Sequence, residues 1–236
     1  MIFDPMFLLF MIPGFILSLW AQSKVKGNFQ KYSQVPNTAG LTGEQAARRV
    51  LDNAGLYNVP IDRSKQPGLS DHYDPRNRTL FLSEAVYSAR SISAIAVAAH
   101  EAGHAIQHAT AYVPLKARTA IVPAVNIGSQ LGFIVLIAGV MLGQFTLGWI
   151  GVALFGLATV FALITLPVEF DASKRAKASL VSIGVVDGGV AGGAESKGVE
   201  KVLDAAAWTY IAGFVASLLS LLYWVMLLTG MSRGND

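Results

Sequence analysis

The chain is 236 residues long, 53% hydrophobic and 14% charged, with a formal net charge of +3 and no cysteine. The roughly 25% charge of ordinary soluble domains is far from met, so that class is excluded. Disulfides and thiolate zinc sites are excluded too, leaving His, Asp and Glu as metal donors. The few basic residues are scattered rather than gathered in a stripe, which excludes nucleic acid as a partner.

Apolar residues are clustered along the chain. A membrane-spanning helix needs about 20 of them in succession, and four segments qualify: Ile2–Ala21, Ile121–Gly143, Leu147–Pro167 and Ala205–Thr229. No Lys or Arg precedes the first run, Asp4 does, and Leu19-Trp20-Ala21 is a poor cleavage site. That run therefore reads as a retained anchor rather than a signal peptide. From Thr119 to Val168 there is no Lys, Arg, Asp or Glu. Gln144-Phe145-Thr146 reads as the tight turn of a transmembrane hairpin.

Lys and Arg set the expected orientation. Residues 23–118 carry 12 of the 18, and residues 168–204 carry five. Both polar segments are thus expected in the cytoplasm and both termini outside. The predicted organisation is an anchor at 1–22, a cytoplasmic-side catalytic segment at 23–118 and a transmembrane hairpin at 119–168. A polar segment at 169–204 and a C-terminal transmembrane helix at 205–229 complete it. The fold class is mainly α, a membrane helix bundle with at most a short β-strand element.

Within the first polar segment, Thr42-Gly-Glu-Gln45 has the pattern of a capping box. Ala46, Ala47, Val50, Leu51 and Ala54 follow at helical spacing, with Gly55 placed to end the helix. Asp71 to Asn77 is rich in turn residues, and Arg78–Ser83 alternates like a short strand, either an edge strand suited to pairing with an extended substrate or an ordinary structural strand. Ser91 to about Thr110 reads as a helix of small apolar residues. In the second polar segment, Gly184 to Gly198 reads as a flexible Gly-rich loop.

The predicted Ser91–Thr110 helix contains His100-Glu101-Ala-Gly-His104. Residues four apart stand on one helix face, about 6 Å apart along the axis. Two imidazoles so placed can converge on one zinc ion, while Glu101 stands beside it as a base for the activated water. The uncharged neighbours leave nothing to compete for the ion, and their small size lets the helix lie close under a substrate. The competing reading is a helix with two surface histidines and an unrelated glutamate.

A catalytic zinc takes three protein ligands. His108 is about 12 Å from His100 along a straight helix, too far to share one ion, and reads as a helix-surface residue or a support for the ligands. Glu169, the first charge after the 50-residue gap, is the better third ligand. The alternative is a glutamate favoured by a helix N-terminus, with Asp171 either supporting the ligands or stabilising the same helix start. His72 and Tyr73 are candidates for a donor to the developing oxyanion. The alternative for His72 is a turn histidine bonded to its own backbone.

These residues resemble a known family. His100-Glu-Ala-Gly-His104, followed after two spans by Glu169, is similar to the membrane gluzincins related to the HtpX and Ste24-like proteases. Gly40-Leu-Thr-Gly43, Asp71-His-Tyr-Asp-Pro75, Ala98 to Gln107 and Thr165 to Ser173 resemble the YugP-like bacterial zinc metallopeptidases, over about Tyr32 to Tyr210. The resemblance implies one zinc ion per chain, Glu169 as third ligand, hydrolysis of peptide bonds and a multi-pass place in the bacterial inner membrane. One position departs. HtpX-like enzymes have Asp four residues beyond the ligand glutamate, and here that residue is Ser173.

The expected function is a zinc endopeptidase acting on membrane proteins or peptides. Glu101 serves as base, His72 or Tyr73 as donor, and His100, His104 and Glu169 as metal ligands. Its partners are a protein or peptide substrate and membrane lipid, with a homo-oligomer or a regulatory membrane protein left open. The alternative is a non-enzymatic scaffold or assembly factor with a vestigial metal site. A transporter would need charges inside the spans, and Thr119–Val168 has none.

Overall fold

The structure is a computed structural model that describes residues 5–68, 70–187 and 193–233. Its elements are, in order, α1 (Pro5–Ser33), α2 (Gly43–Asn53), β1 (Ile61–Arg63), β2 (His72–Asp74), β3 (Thr79–Leu82), α3 (Glu84–Tyr87), α4 (Ile92–Ala109), α5 (Val113–Met141), α6 (Phe145–Ser182) and α7 (Ala194–Arg233). Four of the helices, α1, α5, α6 and Ala194–Gly230 of α7, are long and apolar enough to cross a membrane. The fold is mainly α, with one small sheet.

The residues form two compact units: Met1–Ala21 with Lys116–Pro167 and Thr209–Asp236, and Gln22–Leu115 with Val168–Trp208. The first unit is a helical bundle. One core cluster holds Leu136, Val140, Val152, Tyr223, Trp224 and Leu228, with the Phe7 ring edge-on to Tyr223 at 5.3 Å. Glycines let α5 and α6 meet backbone to backbone. A Cβ on Gly139 would stand 2.3 Å from the Gly148 nitrogen, and one on Gly151 would stand 2.3 Å from the Leu136 nitrogen. Small residues at such contacts are the usual means of close helix approach where lipid weakens hydrophobic driving force. Leu9, Phe15, Ile16, Ile127 and Ile134 are exposed, as suits faces solvated by acyl chains.

Three sequence expectations about the helices change. The α5–α6 turn is Leu142–Gln144, with Gly143 at φ +65°, so Phe145 and Thr146 are helical. The third apolar run does not stop at Pro167: α6 continues to Ser182. Proline removes one N–H but neighbouring groups can absorb that loss, so Pro167 does not end the helix. Glu169 and Asp171 therefore lie inside a helix, and the reading of them as residues at a helix start falls. Of the Gly-rich segment, 188–192 lie outside the described residues, whereas Ala194–Gly198 belongs to α7.

The second unit is built around α4. The Thr42 capping box forms in full: its hydroxyl accepts from the Gln45 N–H, and the Gln45 side chain accepts from the Thr42 N–H at 3.0 Å. Ala46, Ala47, Val50 and Leu51 of the capped α2 are fully buried in the core that also holds Ile95 and Ala99 of α4. Gly55, at φ +74°, follows the helix.

The sheet has the order β1-β3-β2, with β3 parallel to β1 and antiparallel to β2. Two expectations change here. Residues 72–74, expected as turn, pair with β3. Of the two readings of Thr79–Leu82 the edge strand falls and the structural strand holds, because Leu80 and Leu82 are fully buried and both sides of the strand are paired. The β2–β3 turn is closed by Asp74, whose carboxylate accepts from the Arg76 N–H and the Asn77 amide, with Arg78 at φ +53°.

Candidate metal centre

Helix α4 starts at Ser91, whose hydroxyl accepts from the Ala94 N–H, meeting one of the four donors that a helix start leaves unpaired. Its small residues bring it against α6. At Gly103 the two helices meet backbone to backbone, and a Cβ there would lie 2.7 Å from the Ala172 carbonyl oxygen. The size of Gly103 thus serves the approach of two helices, rather than room for a substrate as the motif alone suggests.

Gly103 lies between Glu101 and His104 in sequence, and Ala172 is three residues beyond Glu169. The close approach sets the two histidines against that carboxylate. Glu169 Oε2 is 3.2 Å from His100 Nε2 and 3.5 Å from His104 Nε2. The imidazole rings are 4.8 Å apart and nearly perpendicular, at 85°. The side chains are 11%, 12% and 3% exposed. One ligand atom from each lies within 4.8 Å of the others.

The donor set fits a metal ion. Donors at about 2.0–2.2 Å from a tetrahedral centre are about 3.3–3.6 Å apart, close to the two measured N–O separations. Two imidazoles and a carboxylate also suit zinc. Burial works against a charge on His104. The hydrogen bond and the charge of Glu169 outweigh it, helped by Glu101 and Gln107, and hold that imidazole above its ordinary value.

Each histidine is also held at its far nitrogen. His100 Nδ1 is 3.1 Å from Ser173 Oγ, so the position where the resembled HtpX-like enzymes carry Asp is here a hydroxyl contact. His104 Nδ1 is 3.0 Å from the side-chain oxygen of Gln107, which is fully buried. The Gln107 amide nitrogen donates to the Val168 carbonyl at 2.7 Å and to Asp171 at 2.9 Å. Arg175 also donates to Asp171 and lies over the Tyr112 ring. Sequence reasoning missed Gln107, Ser173 and the contact of Gly103. A polar residue three positions after His104 on an otherwise apolar helix was the available signal for Gln107.

Glu101 is buried next to the cluster and takes no hydrogen bond among the described residues. Its charge reaches both His104 and Asp71. Burial and that charge raise the Asp71 carboxyl above its ordinary value, against bonds from the Ser83 N–H and hydroxyl. His108 is not a member of the cluster. Its Nδ1 is 2.9 Å from the Tyr73 hydroxyl, tying α4 to β2. His72 does not join it either. Its exposed ring, on β2 rather than in a turn, donates to the Ser70 carbonyl at 2.9 Å and stacks on Phe81 at 5.0 Å.

Helices able to span a membrane together with a buried His-His-carboxylate cluster define a helical membrane protein with a candidate metal centre. Residues 7–229 match the family described as "Putative neutral zinc metallopeptidase". The chain belongs to that family. It is also 48% identical over 222 residues to "Putative membrane protease YugP" of Bacillus subtilis (strain 168), covering 94% of this chain and 96% of that one. No solved structure matches it.

Proposed function

We propose that this chain is a zinc-dependent endopeptidase of membrane proteins or membrane-proximal peptides. The observation that carries the reading is the convergence of His100, His104 and Glu169 beside Glu101. His100, His104 and Glu169 would hold one zinc ion. Such an ion supplies Lewis acidity, lowering the pKa of water and polarising a carbonyl.

The residues of the chain do the rest. Glu101, unengaged by hydrogen bonds among the described residues, takes a proton from the attacking water and passes it to the leaving amine. The new C–O bond forms first, and the C–N bond breaks as the resulting tetrahedral carbon collapses and the amine takes the proton, so that one water is consumed. Of the two donor candidates, Tyr73 is the one that meets the metal-bearing helix, its hydroxyl 2.9 Å from His108 Nδ1, and it would serve the developing oxyanion. His72, held by Ser70 and Phe81, supports the sheet instead. With β3 internal, the free side of β2 is the edge that an extended peptide would join.

The family and the relative's name support membrane proteolysis. The distribution of Lys and Arg supports a cytoplasmic site in a bacterial inner membrane. The five-part organisation, with catalytic residues drawn from 23–118 and 169–204, is part of the same reading. Glu101→Gln should keep zinc and lose cleavage of a model membrane substrate by about 10²–10⁴-fold. Undiminished turnover would overturn the mechanism. A wild-type protein that binds zinc but cleaves nothing in a proteome-wide digest would favour the scaffold.

A further inference from the structure

We infer that Gln107 is the positioning residue of His104, fixing by its buried amide which ring nitrogen faces the metal site. This rests on the zinc reading above and adds a residue to it. The argument is one of hydrogen-bond inventory. An amide group has one acceptor oxygen and one donor nitrogen. The two groups facing the Gln107 nitrogen, the Val168 carbonyl and the Asp171 carboxylate, only accept. The amide nitrogen must therefore face them, because a flipped amide would set oxygen against oxygen twice in a fully buried position.

The orientation follows for the other end. Gln107 Oε1 faces His104 Nδ1 and can only accept, so Nδ1 carries a proton. His104 Nε2, the nitrogen nearer Glu169, is then the one that offers a lone pair to an ion. Arg175 donates to the same Asp171 carboxylate and holds it in place. His100 differs. Its Nδ1 partner is the Ser173 hydroxyl, which donates or accepts equally well. The fold thus dictates the tautomer of one ligand and leaves the other to the metal.

The test uses the full-length chain in detergent, labelled with ¹⁵N-histidine and loaded with zinc. Long-range ¹⁵N–¹H spectra should show His104 protonated at Nδ1, with that proton slow to exchange with water. In the metal-free chain Glu169 competes for a proton on Nε2, so in alkaline buffer Gln107→Met should move the neutral ring toward the Nε2–H tautomer relative to wild type. Gln107→Met keeps the side-chain volume without hydrogen bonds. It should speed that exchange and weaken zinc, read by chelator competition, by about 10–100-fold, the usual effect of losing an outer partner of a ligand. Asp171→Ala should cost less, because Val168 still orients the amide.

A zinc-loaded wild-type His104 lacking the Nδ1 proton would overturn the inference whether or not any variant folds. So would a folded Gln107→Met variant with unchanged zinc affinity. Failure of the wild type to bind zinc would instead bring down the metal reading, and in the metal-free chain an unchanged tautomer between wild type and folded Gln107→Met would still overturn the role of Gln107.

Discussion

The α4–α6 contact of the second unit and the α5–α6 contact of the first use one device for different ends. In both, glycine lets helix backbones touch: Gly103 at Ala172, and Gly139 at Gly148. In the bundle the contact joins apolar surfaces, with Leu136 and Val152 buried around it. At α4–α6 the same closeness gathers His100, Glu169, Gln107 and Ser173, all nearly or fully buried. Among the described residues, no side-chain nitrogen or oxygen wholly shielded from solvent lacks a partner. An apolar contact can yield by a fraction of an ångström at the cost of packing alone. A polar one loses hydrogen bonds and donor geometry together.

The largest effect on this contrast should come from the carboxylate. Glu169→Gln, read by chelator competition on the purified chain, should lower zinc affinity by more than the roughly 10–100-fold typical of an outer partner. Retention of tight zinc would end the three-ligand reading. The next sharpest comparison pairs two overpacked variants. Gly103→Val and Gly139→Val should each lose stability on the order of 1–3 kcal/mol in thermal unfolding. Only Gly103→Val should also lose zinc, and equal zinc loss in both would erase the distinction drawn here.

Acidity gives a smaller, graded effect. His104 is raised above the ordinary 6.5 by Glu169, and binding an ion requires its neutral form. Zinc affinity should fall as pH drops, with the fall beginning above pH 6.5. In the metal-free chain the sign reverses. A raised histidine contributes stability that is complete below about 6.5 and lost as pH rises through its folded-state value. Zinc titrations and melting curves across that range check both signs. The smallest effect is expected away from both contacts. Thr42→Ala removes one half of the capping box and should cost about 1 kcal/mol while leaving zinc affinity unchanged.

Much of this was legible in local sequence. The four apolar runs, the capped α2 and the α4 boundaries depend on neighbours within a few residues, and the structure has them. The length of α6 was not legible, because Pro167 reads as a stop unless surrounding helices absorb the lost N–H. The central place of β3 was hidden for a similar reason. A strand's neighbours are decided by the partners it meets, and β1 lies 15 residues before β3 with β2 between them in the chain.

For the candidate centre, the chain order alone determined that two imidazoles share a helix face with a glutamate between them, since a 3.6-residue turn imposes it. Only tertiary structure decided what lies opposite. Glu169 reaches the imidazoles, 65 residues after His104, because Gly103 admits the Ala172 backbone. Gln107 acquires its task because that same contact offers its amide two acceptors and the ring. Local spacing is written along one chain segment. The meeting of two segments depends on which side chains are small enough to let them touch.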